Sequence, residues 1–209
     1  MAARAKPWFF DAWSRIYDTR VIQRATYRPV HDAVVGALCA GAHGRVLDLG
    51  CGTGQLAGRV AALPRTRVVG CDFSRGMLTH AAAQSSSAVW VQADAARPPF
   101  GAATFDAVVS TEAFHWFPDQ PAVLREVFRV VKPGGRLLLA LVNTPIATVS
   151  TAFHIGSRLL GEPFYWPTIG EMRALVEAAG FRVEEQRRIF RLPGFLLPPV
   201  LTCAMRPAR

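Results

Sequence analysis

A doubly wound α/β domain built on a mostly parallel sheet is the fold class the sequence predicts. Three observations carry it. Short apolar runs of strand length recur between helix-length segments from residue 44 to residue 142, the rhythm of a parallel sheet with crossover helices. The first of these strands leads into a glycine-rich turn and then a helix, an order that places backbone N–H groups around a nucleotide-like ligand. The length, 209 residues, suits one full-sized domain, and with 51% of residues hydrophobic the chain can fill a large core.

The elements follow in order. Residues 7–20 mix aromatics with charge, and Trp13, Ile16 and Tyr17 share a helical face. Residues 29–40 read as a second helix, with Pro29 in its first turn and Gly41 to Gly44 ending it. Strand 44–49 precedes helix 54–63. Strand 67–71 precedes helix 75–84, with Ser74 as its N-cap. Strand 88–92 runs into the loop Ala93–Phe100. Strand 105–110 leads through an aromatic turn to helix 119–131. Lys132-Pro133-Gly134-Gly135 makes a sharp turn into strand 136–142. This reads as five βα units in a row. A helix around 148–160, a Pro- and aromatic-rich loop at 162–167, and helix 168–179 stopping at Gly180 come next. Strands 181–190 and 199–206 bring the total to seven. A single domain is expected: 1–43 an N-terminal helical lid, 44–143 a ligand-binding core, 144–167 an insertion.

The formal charge of +9 resides almost wholly in arginine, since Lys6 and Lys132 are the sole lysines. The arginines are scattered, with no run longer than Arg187-Arg188, which reads as a solubilising surface rather than a nucleic-acid track. Cys39, Cys51, Cys71 and Cys203 lack the paired spacing of a metal site, so no metal is expected. Cys51 and Cys71, in or beside predicted buried strands, read as core fillers of a reducing compartment. No leader-like apolar stretch opens the chain and no apolar run reaches membrane-spanning length. A cytoplasmic monomer or homodimer is expected.

The chemistry begins at Asp48-Leu49-Gly50-Cys51-Gly52-Thr53-Gly54. Dinucleotide fingerprints read G-x-G-x-x-G, whereas these glycines fall at 50, 52 and 54 with an acid two residues ahead. That acid suits a ligand carrying an ammonium group and repels a pyrophosphate. Asp72 ends the second strand, 18 residues after Gly54, where a carboxylate can accept from ribose hydroxyls. Phe73 and Met77 beside it offer apolar cover for a base.

The loop resembles motif I of the class I S-adenosylmethionine-dependent methyltransferases. Three further stretches resemble the methyltransferase type 11 group. These are Asp94 with Pro98-Pro99-Phe100, Phe105–Ser110 with Thr111-Glu112-Ala113-Phe114-His115-Trp116-Phe117, and Leu124–Leu137 through Lys132-Pro133-Gly134-Gly135. The resemblance covers residues 28–143 and resumes at Ala178-Ala179-Gly180-Phe181. It implies a Rossmann-like seven-stranded sheet with an antiparallel last strand, with S-adenosylmethionine as methyl donor and S-adenosylhomocysteine as product. It implies that Asp48, Gly50, Cys51, Gly52, Gly54, Asp72, Phe73, Met77, Asp94, Ala95 and Thr111 line the donor site. There Asp94 and the Ala95 N–H meet the adenine, and Arg28 or Tyr17 meets the methionine carboxylate.

His115 is the first candidate for a base and Glu112 the second. Phe114, Trp116, Tyr165 and Trp166 are candidates to wall the acceptor pocket. The expected acceptor is a small molecule (a carboxylate, phenol or lipid-like metabolite, methylated on O or C), with no nucleic acid and no membrane span. An RNA or protein acceptor served by the basic surface is the first alternative, and a non-catalytic S-adenosylmethionine-binding scaffold the second. An NAD-linked oxidoreductase is disfavoured by the glycine spacing and the Asp94 segment. The absence of Asn-Pro-Pro-Tyr after the fourth strand argues against DNA-base and glutamine methylation.

Overall fold

A computed structural model of the chain describes residues 27–39, 44–85, 87–144, 151, 154–155, 165–189 and 198–208. Helices α1 (Arg28–Cys39), α2 (Gln55–Ala61), α3 (Arg75–Gln84), α4 (Gln120–Val130) and α5 (Ile169–Ala178) accompany seven strands. These are β1 (Arg45–Leu49), β2 (Arg67–Asp72), β3 (Ala88–Gln92), β4 (Phe105–Thr111), β5 (Val131–Val142), β6 (Arg182–Arg188) and β7 (Pro199–Met205). All seven join one sheet in the order β3-β2-β1-β4-β5-β7-β6. Strands β1 to β5 pair in parallel, and β7 runs antiparallel to both β5 and β6. This is the seven-stranded, mostly parallel sheet with an antiparallel last strand that the sequence implies.

Alternation along the strands sorts side chains into two cores. Leu47, Leu49, Val108, Leu137 and Leu139 pack with Leu124 and Val127 of α4 and with Met172 and Val176 of α5. Val46, Val68, Ala107, Val109 and Leu138 face the other way, onto Val30, Val34 and Leu38 of α1 and Leu56, Ala57 and Val60 of α2. Helix α1 is therefore a layer of the sandwich. Its Ala37 carbonyl accepts from Arg136 Nη1 at 2.8 Å, and Asp32 pairs with Arg59 of α2. The remainder of the expected lid, Tyr17 included, lies outside the described residues, as does most of the helix expected over 148–160.

Two local features differ from the sequence expectation. One of the five βα units is missing, at the place where the sequence already reads a loop over Ala93–Phe100: β3 reaches β4 through Ala93–Thr104 with no helix. Pro98 and Pro99 remove two adjacent backbone donors there. The Lys132–Gly135 turn is also not a boundary ahead of β5 but a bulge inside it. Phe105 pairs with Val131, and the register resumes at Ala107 with Arg136. At Gly135 a Cβ would lie 2.9 Å from the Asp106 carbonyl and 2.8 Å from that of Lys132, so only glycine lets the two strands close.

Candidate functional site

The site lies where open parallel sheets bind ligands, beyond the carboxyl ends of the central strands. The chain leaves β1 through Gly50, Gly52 and Gly54, all in the left-handed region at φ 74°, 52° and 78°. Two are glycine for packing reasons as well. A Cβ on Gly50 would sit 2.5 Å from Ala113 Cβ, and one on Gly54 would sit 2.4 Å from the Trp90 ring. A Cβ on Gly52 would meet nothing within 4 Å. Gly52 thus presents bare backbone to open space. The Gly50 and Cys51 N–H groups both donate to the Cys71 carbonyl, at 2.7 and 3.2 Å, anchoring the loop to β2. Cys51 is buried, and its Sγ lies 3.0 Å from where a Cβ on Gly70 would be, turned into the protein.

Three acids stand in or just beyond the carboxyl-terminal parts of β1, β2 and β3. Asp48 is only 1% exposed, on the α2 face of the sheet. Its carboxyl accepts from the Ala57 N–H in the first turn of α2, which Gly54 has no side chain to cap. Its Oδ2 has no partner. Burial, with Asp72 nearby, pushes its pKa up to about 7, against the pull of the Ala57 N–H. Asp72 accepts from the Gly52 N–H through Oδ2 and from the Ser74 N–H through Oδ1, both at 2.9 Å. It therefore locks the glycine loop to the β2 turn. Asp94 Oδ1 accepts from the Ala96 N–H at 2.9 Å in a tight turn whose Ala95 is buried against the core. Phe73 is half-buried beside the groove, whereas Met77 is 4% exposed and belongs largely to the core.

The turn after β4 forms the opposite wall. Thr111 closes β4, and the Glu112 N–H donates to the Ala140 carbonyl at 2.8 Å with Glu112 in the left-handed region at φ 50°. Phe114–Trp116 make one 3-10 turn, and Ala113 presses on Gly50. His115 is buried, and its Nδ1 has no partner. Burial holds its pKa near 3, so the ring is neutral at physiological pH. It lies 5.2 Å from the Trp116 ring and 5.5 Å from that of Trp166.

Segment 165–168 is sewn to this turn. The Tyr165 N–H donates to the His115 carbonyl at 2.9 Å, and Gln120 Nε2 bridges the Phe114 and Tyr165 carbonyls at 3.1 and 2.9 Å. Asn143 Nδ2 donates to the Pro167 carbonyl at 2.8 Å, and Thr144 Oγ1 to that of Trp166 at 3.2 Å.

The structure thus gathers Asp48, the glycine loop, Asp72, Asp94, Ala95, Thr111, Glu112 and His115 along one edge of the sheet. Arg28 is exposed in the first turn of α1. Sequence reasoning missed Trp90, Gln120 and Asn143. Trp90 pairs with Gly70 across β2–β3 and lays its ring over Gly70 and Gly54. A glycine inside the strand was the available signal, since it marks a close approach. Gln120 and Asn143 act through backbone carbonyls distant in sequence, for which one chain offers no cue.

Residues 47–139 match the family model described as a methyltransferase domain. A demethylmenaquinone methyltransferase from Beutenbergia cavernae is 37% identical over 138 residues, 65% of this chain and 57% of that protein. The 27-O-demethylrifamycin SV methyltransferase of Amycolatopsis mediterranei is 35% identical over 147 residues, 66% of this chain and 54% of that protein. The chain thus spans little more than half the length of these curated relatives. The crystal structure of magnesium protoporphyrin IX methyltransferase from Synechocystis PCC 6803, with bound S-adenosylhomocysteine, superposes with a TM-score of 0.72. It is 21% identical, over 95% of this chain and 94% of that one, a likeness of fold.

Proposed function

We propose that this protein, whose residues 47–139 match the methyltransferase-domain family model, binds S-adenosylmethionine at the glycine loop and methylates a small-molecule acceptor held against the 111–117 turn. The observation that carries the reading is the open, bare backbone at Gly52, hydrogen-bonded to Asp72, with the buried Oδ2 of Asp48 lacking any donor. That set fits the methyl donor. Asp48 offers an acceptor to its ammonium group, Asp72 to its ribose hydroxyls, Asp94 and the Ala95 N–H to its adenine, and Phe73 an apolar cover. Cys51, Met77 and Thr111 support the site by packing.

When bound, S-adenosylmethionine supplies an electrophilic methyl whose C–S bond breaks as the acceptor–methyl bond forms, leaving S-adenosylhomocysteine. The protein's share is alignment and exclusion of water. Ala113 against Gly50 fixes the distance between the donor loop and the acceptor wall. His115 is held neutral by burial. It serves as a hydrogen-bonding group that takes a proton only fleetingly, and Glu112 at the strand end is the second candidate to accept a proton from a hydroxyl nucleophile. The named substrates of two relatives, demethylmenaquinone and 27-O-demethylrifamycin SV, support a small-molecule acceptor.

Titration calorimetry with S-adenosylmethionine, S-adenosylhomocysteine and NAD tests the reading. The two adenosyl ligands bind with micromolar affinity (roughly −8 kcal/mol) and NAD does not. Binding of NAD alone, or of none of the three, refutes it.

A further inference from the structure

We propose that Asn143 is a specificity-determining residue of the acceptor site, selecting acceptors that present an aromatic hydroxyl over those that present a carboxylate. This rests on the methyltransferase reading and deepens it.

Asn143 follows β5 directly, at the same carboxyl edge as the glycine loop, one strand beyond β4. It is 5% exposed, and its Oδ1 has no hydrogen-bond partner. The orientation of an amide is normally a matter of inference, but here its neighbour dictates it. The Pro167 carbonyl, 2.8 Å away, can only accept, so the nitrogen faces it and the orphan atom is the oxygen. An amide oxygen only accepts. What satisfies it must bring a donor, and a buried acceptor left unmatched is costly.

The surroundings narrow the donor. Asn143 and His115 both abut the Tyr165–Pro167 segment, Asn143 through Pro167 and His115 through the Trp166 ring and the Tyr165 N–H. His115 Nδ1 is a second buried atom without a partner. Aromatic rings close round it, which suits a flat acceptor. Among the described residues, no arginine or lysine bonds to the Asn143 or His115 side chain, and the neighbouring groove holds two carboxyl groups, Asp48 and Asp72. A carboxylate would bring no donor for Oδ1. A phenol or hydroquinol O–H donates to Oδ1 and needs no counterion. Asn143 takes no proton in this arrangement; it recognises and orients the hydroxyl-bearing ring.

The test uses protein saturated with S-adenosylhomocysteine, titrated with three probes on one ring system: 2-naphthol, 2-methoxynaphthalene and 2-naphthoate. The expected order puts 2-naphthol ahead of both others by roughly tenfold or more, since a site built to bond a hydroxyl rejects analogues lacking it. Asn143→Leu, similar in volume, erases that margin while S-adenosylhomocysteine affinity holds. Equal binding of the three, preference for 2-naphthoate, no binding of 2-naphthol, or a margin that survives in Asn143→Leu each overturns the assignment. Should the variant fail to fold, the wild-type order alone decides. Failure of S-adenosylhomocysteine to bind the wild type is a separate result: it removes the methyltransferase reading, and this inference with it.

Discussion

At the scale of single residues, the glycine loop separates chemistry from packing. Gly50 and Gly54 are hemmed by Ala113 and by Trp90, whereas Gly52 faces open space. Gly52→Ala therefore carries only the left-handed backbone cost, about 1 kcal/mol. It leaves the fold intact and puts a methyl into the open space where the proposed methyl donor would approach the loop, so donor affinity should fall at least about tenfold, the equivalent of one lost hydrogen bond or close contact. Gly54→Ala adds a collision with the Trp90 ring and destabilises by about 2–4 kcal/mol. Thermal melts beside calorimetry separate the two; equal destabilisation would sink the distinction. Asp48 yields a second prediction. With its pKa near 7, an arriving ammonium or sulfonium lowers it, and a proton leaves on binding near pH 6.5. Binding heats in phosphate and Tris buffers should differ there, converge above about pH 8, and agree at all pH values in Asp48→Asn. Identical heats in both buffers would show that Asp48 is already ionised. The three glycines were legible in the sequence, but their separate reasons were not, because Ala113 and Trp90 reach them only through tertiary pairing. Asp48 read as a ligand acid, and it is also the distant cap of α2.

At the scale of elements, most of the fold was legible because apolar runs and caps agree. Ser74 caps α3 as expected, its Oγ accepting from the Met77 N–H at 3.1 Å. The failures have local causes. The loop read over Ala93–Phe100 holds because the Pro98-Pro99 pair denies a helix to the β3–β4 connection, so it is the count of five βα units that fails, and the Gly134-Gly135 turn hides inside β5 because the Arg206 carbonyl accepts from the Gly134 N–H at 2.8 Å. Strand β6 lies at the sheet edge and alternates charge with little burial, which protects an open edge from pairing with other chains. Helix α5 carries a complete capping box: the Glu171 N–H donates to Thr168 Oγ1 at 3.2 Å, and the Thr168 N–H donates to Glu171 Oε2 at 2.8 Å. Thr168 also bridges to Thr144 at the end of β5, so this cap anchors the 165–168 segment against the acceptor wall. Thr168→Ala should cost about 1 kcal/mol. In denaturant this appears as a lower midpoint with unchanged slope. Affinity for 2-naphthol should drop while S-adenosylhomocysteine binding stays constant. A loss of both affinities together would mean that the segment supports the donor loop instead.

At the scale of the whole molecule, three of the buried titratable groups among the described residues, one on each of α1, β1 and the turn after β4, shape the response to acid. His31 in α1 is held near pKa 4, first by burial and then by Arg59, with Asp32 opposing; burial holds His115 near 3. Both values lie below the unfolded 6.5. Their stabilising effect is complete above pH 6.5 and is lost as pH falls toward the folded values. Asp48 has the opposite sign, with a folded value near 7 against 3.8 unfolded. Its effect is complete below pH 3.8 and is lost as pH rises through 7. Between about pH 4.5 and 6, unfolding takes up two protons at the histidines and releases one at Asp48, a net uptake of one. Stability should therefore fall on acidification by about 1.4 kcal/mol per pH unit. Asp48→Asn removes the opposing proton and steepens that slope toward two, whereas His31→Gln flattens it toward zero. Urea unfolding midpoints of the three proteins across this window check the ordering. A wild-type stability that rises on acidification would mean that Asp48 outweighs both histidines, and a slope untouched by Asp48→Asn would mean that its carboxyl is ionised beneath the glycine loop. The second outcome would also remove the proton release expected on donor binding, so the folding and binding measurements constrain the same buried acid independently.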